Sequence, residues 1–210
     1  MKVLRALQGG LESMYRVETH LDVCDFLVAA ATGRAPKEQL LVRQTADEME
    51  IGLFVAEDTL ENLSARDPGQ CLDDRNLQDF LLVVEGVSHF VYLAHRAAAE
   101  RPVSAVEMEL QAEVDKYLVS LLLLWAQSGG PPEKGALRHR LFDRVAFAGD
   151  LSLEERGRYQ LANRAASSYT ASLEKRFVGN RAVDDMLAEA RRFYRKGLAG
   201  KLAEVSRLAA

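Results

Sequence analysis

The stretch from Asn76 to Gln127 restricts the possible folds of this chain more than any other segment. It contains two long segments with helical periodicity, NLQDFLLVVEGVSHFVYLAHRAAAE and SAVEMELQAEVDKYLVSLLLLWAQ, separated only by Arg101-Pro102-Val103. Both segments are apolar over most of their circumference, and a helix of that kind is buried on several sides. A short connection favours antiparallel neighbours. The sequence therefore predicts an antiparallel helix pair at the centre of a helical core.

Each of these two helices carries one narrow stripe of polar residues. The stripe of the first helix consists of Glu85, His89, Tyr92 and Arg96, and that of the second consists of Glu109, Glu113, Lys116 and Ser120. Residues three or four positions apart share one helix face. Antiparallel packing would bring Glu85 close to Lys116 or Ser120. It would also bring Arg96 close to Glu109, with His89 and Glu113 near the middle.

Three interpretations of these stripes are open. They can be solvated faces with unpaired charges, or a buried network of ion pairs, which costs desolvation and adds specificity rather than stability. They can also form a functional site, because two carboxylates and an imidazole facing one another could bind a divalent metal or perform acid–base chemistry. The catalytic candidates are then His89, Glu85, Glu113 and Lys116, and the available metal ligands are Glu85, His89, Glu109 and Glu113. The Glu-x-x-His pairs typical of dimetal sites in helical bundles are absent, so no metal site is predicted.

Charge is unevenly distributed along the chain. Residues 1–130 carry 11 Lys and Arg against 21 Asp and Glu, whereas residues 131–210 carry 16 against 10. The strongest turn signal, Ser128-Gly129-Gly130-Pro131-Pro132, lies where the balance changes sign. We interpret residues 1–210 as a single domain, with a possible subdivision into 1–128 and 133–210. The asymmetry can mark an anionic partner, or attraction between two halves of one fold or between two subunits.

Basic side chains of the C-terminal part form a candidate binding surface. They are Arg138, Arg140, Arg144, Arg191, Arg192, Arg195 and Lys196. The sequence pI of about 5.7 is lower than expected of a nucleic-acid-binding domain, so nucleic acid is not the expected partner. The alternatives are a solvated helix face and a contact with a protein partner or a second subunit.

Periodicity along the rest of the chain predicts the fold class. Apolar alternation over residues 21–29, EQLLVRQT and EMEIGLFVAE predicts a small antiparallel sheet of about three strands. Ser104 and Ser152 each precede a Glu by three residues, which predicts two helix capping boxes. A last helix is predicted from Ala182 to Leu208, with Gly197 and Gly200 as positions of fraying or bending. We therefore expect a mainly helical α+β protein, with the N-terminal sheet packed on a bundle of about six helices.

Motifs for common chemistries are not found in the sequence. It contains no phosphate-binding Gly loop, no Gly-x-Ser-x-Gly and no zinc-ligand spacing among its four histidines. The absence of a secretory signal, an uninterrupted apolar run of only ten residues and two unpaired cysteines, Cys24 and Cys71, favour a cytoplasmic protein without a membrane partner.

The function that these observations favour is a non-enzymatic protein-interaction or self-assembly module of the adaptor or regulatory type. Its expected partner is another protein or a second copy, and no motif implies a cofactor. The alternative is an enzyme or ligand-binding protein that uses the polar stripe between the central helices, with or without a divalent metal. Enzymatic activity is therefore left open.

Overall fold

The computed structural model describes residues 1–29, 37–45, 48–143 and 152–209. Within these residues the chain forms eight α-helices and one two-stranded antiparallel sheet. The predicted class of a mainly helical α+β protein is confirmed, but the predicted number of about six helices is too low, in part because the predicted last helix forms two. The helices are α1 (Lys2–Tyr15), α2 (Glu57–Ala65), α3 (Leu77–Ala98), α4 (Ala105–Ser128), α5 (Ala136–Arg138), α6 (Leu153–Leu173), α7 (Val183–Tyr194) and α8 (Leu198–Ala209). Two of them, α5 and α6, continue as π-helical turns at His139–Asp143 and Glu174–Val178.

The sheet has two strands among the described residues, not the three predicted. β1 (Glu38–Gln44) and β2 (Met49–Val55) pair in antiparallel register. The predicted strand over residues 21–29 is wrong, because Val23–Phe26 forms a 3₁₀ helix. The side chain of Asp22 accepts a hydrogen bond from the backbone N–H of Cys24 at 2.9 Å, and such local bonds compete with a strand ladder.

Helix α3 lies at the centre of the protein. It packs against α4, and α1, α2 and the sheet cover its other sides. By length and composition α3 could cross a membrane, and 72% of its most apolar window is buried inside the protein. On the outer side of α4 lies α6, which also contacts α8, and α7 packs on α1. The predicted central position of the α3–α4 pair is thus observed.

The predicted last helix forms two helices, α7 and α8, because the chain breaks between Tyr194 and Leu198, where a bend at Gly197 was predicted. Gly197 lies in this break and has a low helix propensity. The backbone N–H of Leu198 donates to Glu107 Oε2 at 2.9 Å, so a side chain from α4 caps the first turn of α8. A tertiary contact thus determines where the last helix begins.

The same contact alters one of the two predicted capping boxes. Ser104 accepts a hydrogen bond from the backbone N–H of Glu107 at 3.2 Å, but the Glu107 carboxylate accepts from Leu198 and Tyr92. The box between Ser152 and Glu155 at the start of α6 is complete, with both reciprocal bonds present. Local sequence therefore determines the start of α6. Near the start of α4, by contrast, the Glu107 carboxylate binds distant residues and does not complete the capping box.

Candidate functional site

The predicted polar stripes meet in a buried group of charged side chains. We call the central cluster the six residues Glu38 from β1, Glu85 and His89 from α3, and Glu109, Glu113 and Lys116 from α4. The side chains from α3 and α4 are between 8% and 21% exposed. The interpretation as a solvated face is therefore wrong, and the stripes belong to the interior.

Ion pairs connect the two helices within the central cluster. Lys116 Nζ lies 2.8 Å from Glu85 Oε2 and 2.8 Å from Glu113 Oε1. His89 Nε2 lies 3.6 Å from Glu109 Oε2, within ion-pair distance. The predicted proximity of Glu85 and Lys116 is confirmed, and every cation of the cluster has a carboxylate neighbour.

The other predicted pairing is shifted along the helix. Arg96 Nη2 lies 3.6 Å from Glu107 Oε1 rather than near Glu109, and it donates to the carbonyl of Pro102 at 2.9 Å. The register set by residues 99–104 places Arg96 opposite the first turn of α4. Ser120, the last member of the second stripe, is fully buried, and its Oγ has no hydrogen-bond partner among the described residues.

Glu38 is a member of the cluster that the sequence reasoning did not include. Its Oε1 is buried and has no hydrogen-bond partner within the described part of the chain. Gly86 provides the space, since a Cβ at Gly86 would lie 2.8 Å from this oxygen. Burial, with the negative charges of Glu85 and Glu109, raises the pKa of Glu38 to about 8. The available signal was that Glu38 shares a strand face with Leu40.

The protonation states of the cluster limit its chemistry. Burial acts to lower the pKa of His89, but the carboxylates of Glu109, Glu38 and Glu85 outweigh burial and raise this pKa to about 9. At neutral pH His89 is therefore an imidazolium, whereas a metal ligand must be neutral imidazole. Among the described residues, no group of three or more His, Cys, Asp or Glu side chains is arranged to hold a metal ion. The cluster is a set of mutually paired charges with one protonated carboxyl group.

A second buried polar group lies between α1, α3, α4 and α8. We call it the Lys201 network, and it consists of Tyr15, Ser88, Gln111, Asp115 and Lys201. Lys201 Nζ donates to Gln111 Oε1 at 2.6 Å, and Gln111 Nε2 donates to Asp115 Oδ1 at 2.8 Å. Ser88 and Tyr15 also donate to the Asp115 carboxylate. Five side chains from four helices thus share one chain of hydrogen bonds.

Lys201 is the most deeply buried cation in the described part of the chain, with no exposed surface. Its ammonium nitrogen lies 4.3 Å from the ring centroid of Tyr92 and 5.2 Å from that of Phe193. Burial lowers the pKa of Lys201 to about 7. The sequence contained one signal, because Lys201 falls on the apolar face of α8, between Leu198 and Leu202.

The predicted basic residues of the α5 segment pair within the protein. Arg138 Nη1 lies 3.7 Å from Glu174 Oε2. Arg140 forms an ion pair with Asp74, which joins the basic C-terminal part to the acidic N-terminal part. Arg144 lies outside the described residues. At Arg140, the charge asymmetry of the sequence contributes to an internal contact.

Two of the predicted basic residues at the C-terminal end of α7 and just after it hold this helix on α1. Arg191 Nε donates to the carbonyl of Met14 at 2.7 Å, and Arg195 Nη2 donates to that of Tyr15 at 3.1 Å. Cations suit these positions, because the last carbonyls of a helix carry partial negative charge. The other two predicted basic residues of this segment form ion pairs close to their own positions in the chain, Arg192 with Glu189 and Lys196 with Glu204.

An apolar groove with a volume of about 690 Å³ runs between α1 and α4, and we call it the α1–α4 groove. One face of α1 lines it over the whole helix, with Val3, Ala6, Leu7, Gly10, Leu11 and Met14. The opposite wall is the last part of α4, with Val119, Leu122, Leu123 and Ala126. Leu187 and Arg191 of α7 close one end, and residues 67–69 close the other. None of the six central-cluster residues lines this groove.

No protein family, curated protein sequence or solved structure gives a significant match to this chain. The protein is therefore characterised by its own fold and side-chain contacts. In the part of the chain that the structure describes, it is a mainly helical α+β protein with the central cluster, the Lys201 network and the α1–α4 groove.

Proposed function

We propose that this protein is a non-enzymatic binding module, and that the α1–α4 groove is its binding site for a small apolar guest molecule. The observation that carries the proposal is the groove itself. Small-molecule sites are mostly apolar concavities of about 300–1,000 Å³ with a few polar groups, and the groove, at about 690 Å³, has these properties. Its polar side chains are confined to Lys2, Ser13, Ser64, Asp67 and Arg191.

The polar networks support a non-enzymatic role. The ionised side chains of the central cluster form ion pairs with one another. Glu38 is neutral near pH 7, because burial raises its pKa to about 8. Lys201 has no exposed surface and is bonded to Gln111. Neither network contributes a side chain to the groove lining. Binding in the groove would therefore leave both networks intact.

The predicted protein partner or second copy stays a prediction, and the groove volume favours a smaller guest. An α-helix with its side chains is about 10–12 Å wide. A three-turn helical segment would therefore occupy more than the groove's 690 Å³. A single alkyl chain or a small ring system matches this volume better, so a small molecule is the proposed guest.

Fluorescence titration with the neutral probe N-phenyl-1-naphthylamine tests this proposal. The wild-type protein is expected to bind one probe molecule with an increase in emission. Gly10→Leu is expected to weaken probe binding at least tenfold, because Gly10 lines the groove and nothing lies within 4 Å of an added Cβ. The new side chain would therefore occupy part of the groove, and its Cβ would have no atom of the fold within 4 Å.

Gly9→Leu is the matched control for this experiment. Gly9 precedes Gly10 in α1 and also has open space around it, but it does not line the apolar groove. The control is expected to bind the probe as the wild type does. Equal binding by all three proteins would place the probe elsewhere, and absence of binding by the wild type would refute the proposed function.

A further inference from the structure

We propose that the guest of the α1–α4 groove is a free long-chain carboxylate, with its alkyl chain along α1 and its carboxylate paired with Arg191. This inference rests on the proposed function, because it assigns a chemical class to the guest of the same groove. It adds a specific contact that an apolar guest alone would not need.

The two ends of the groove differ in charge compensation. At the end formed by the start of α1, Lys2 Nζ lies 3.7 Å from Asp67 Oδ2. At the other end Arg191 uses its Nε to bond the carbonyl of Met14. Among the residues that the structure describes, no carboxylate lies within 4.0 Å of the Arg191 guanidinium. One end of the apolar groove thus presents a cation without an ion-pair partner.

The surroundings of Arg191 make an anion favourable there. Burial lowers the pKa of Arg191, and the positive charges of Arg16 and Arg195 lower it further, while Asp184 acts in the opposite direction. A bound carboxylate would offset both the desolvation and the repulsion between these guanidinium groups. The planar guanidinium also matches a carboxylate in geometry and can donate two parallel hydrogen bonds to it.

A polar cleft adjoins the groove at Arg191. Gly9, Glu12, Ser13, Arg16, Val17, Glu18 and Arg191 line this cleft. The cleft contains two glutamates. Glu12 accepts hydrogen bonds from Gln8 and Thr19, and Glu18 Oε2 lies 4.0 Å from His20 Nε2. A molecule with an apolar chain and a polar head would therefore find apolar surroundings along α1 and polar surroundings beside Arg191.

The length of the groove sets the length of the chain. Its lining on α1 extends from Lys2 to Met14, a span of twelve residues and about 18 Å at 1.5 Å per residue. An extended alkyl chain advances about 1.3 Å per carbon, the zigzag projection of C–C bonds of about 1.5 Å. A chain of about 12–14 carbons would therefore reach from one end to the other.

Competition with the neutral probe tests the inference, with three twelve-carbon ligands used below their micelle concentrations. Dodecanoate is expected to displace the probe with at least tenfold higher affinity than dodecanol, and dodecyltrimethylammonium is expected to bind more weakly than either. Among saturated carboxylates of 8–18 carbons, affinity is expected to stop rising near 12–14 carbons. The preference for dodecanoate over dodecanol should also fall as salt concentration rises.

Variants at Arg191 identify the charge contact. Arg191→Gln is expected to make dodecanoate and dodecanol bind equally, whereas Arg191→Lys should retain a preference for dodecanoate. Arg192→Gln is the matched control, because Arg192 belongs to the same helix and pairs with Glu189. This control should behave as the wild type. Unchanged affinity for the neutral probe and an unchanged circular dichroism spectrum show that each variant is folded.

The outcomes separate this inference from the proposed function. Equal binding of dodecanol and dodecanoate to the wild type, with both lost in Gly10→Leu, would refute the carboxylate assignment and leave the groove as an apolar site. A preference for dodecanoate that persists in folded Arg191→Gln would also refute the assignment. If neither the probe nor any ligand binds, the proposed function itself is wrong. If Arg191→Gln does not fold, a salt-independent preference in the wild type refutes the charge contact.

Discussion

Replacing Lys201 by Met tests whether this buried lysine of α8 loses its proton near neutral pH in the folded protein. Lys201 is fully buried, and its Nζ bonds Gln111 Oε1 at 2.6 Å. Burial lowers its pKa from 10.5 to about 7. Glu107 and Asp115 act to raise this pKa, and Arg96 acts with burial to lower it. Met keeps a similar length and volume without the charge.

The size of the effect on the free energy of unfolding follows from the pKa of Lys201 in the unfolded and in the folded chain. In the unfolded chain Lys201 binds its proton with the ordinary pKa, so the unfolded state holds more protons than the native state between pH 7 and 10.5. Native stability therefore rises with pH across this window. At about 1.4 kcal/mol for each pH unit, Lys201 costs about 4 kcal/mol at pH 7 and about 2 kcal/mol at pH 9.

Met removes this cost but leaves Gln111 Oε1 without its donor. An unsatisfied buried acceptor costs about 1–3 kcal/mol and does so at every pH. The Lys201→Met protein is therefore expected to be more stable than the wild type by about 2 kcal/mol at pH 7. Its advantage should shrink by about 2 kcal/mol between pH 7 and pH 9.

Urea denaturation of both proteins at pH 7 and pH 9 measures this change. His89 and Glu38, whose pKa values are raised to about 9 and about 8, also titrate in this range. Their contributions to the free energy of unfolding cancel when the variant is compared with the wild type at the same pH. Lys175→Met, at an exposed lysine, is the control and should show no such dependence. If the difference between Lys201→Met and wild type is the same at both pH values, Lys201 does not have a lowered pKa and the reasoning fails.

Two further predictions concern the central cluster. Gly86→Ala is expected to lower the free energy of unfolding by about 1–3 kcal/mol, because the new methyl carbon would lie 2.8 Å from the Glu38 carboxylate. Gly9→Ala, surrounded by open space, should raise it by up to about 1 kcal/mol, and urea denaturation measures both. His89→Ala is expected to lower the free energy of unfolding by about 3–5 kcal/mol at pH 7, since Glu109 loses its buried cation. The pKa of His89 is raised from 6.5 to about 9, so its contribution is complete below pH 6.5 and is lost as pH rises through 9. The deficit of His89→Ala should therefore shrink between pH 7 and pH 10, and a constant deficit would contradict the ion pair with Glu109.

Much of the central helix pair can be predicted because the signals are local. Long apolar segments and a short connection determine that α3 and α4 are buried antiparallel neighbours. Polar residues three or four positions apart must share a face, which places Glu85 and Lys116 in the same interface. The capping box at Ser152 and Glu155 is likewise a property of four consecutive residues.

The prediction fails where a side-chain contact overrides the apolar pattern, and in two of the three cases that contact comes from a distant segment. Alternation over residues 21–29 resembles a strand, but the side chain of Asp22 stabilises a 3₁₀ turn there. The predicted last helix stops at Tyr194, and Glu107 from α4 caps its continuation at Leu198. Glu38 reaches the central cluster because Gly86, on another element, leaves room for it.

The spacing of apolar residues along a chain is a local property, so it is sufficient to predict which helix faces turn away from solvent. What those faces contact depends on how distant segments pack together. The polar stripes form buried ion pairs, Lys201 packs against an aromatic ring, and a groove lies between α1 and α4. These outcomes depend on packing between residues up to about a hundred positions apart, and hydrophobic periodicity carries no information about which distant faces fit together.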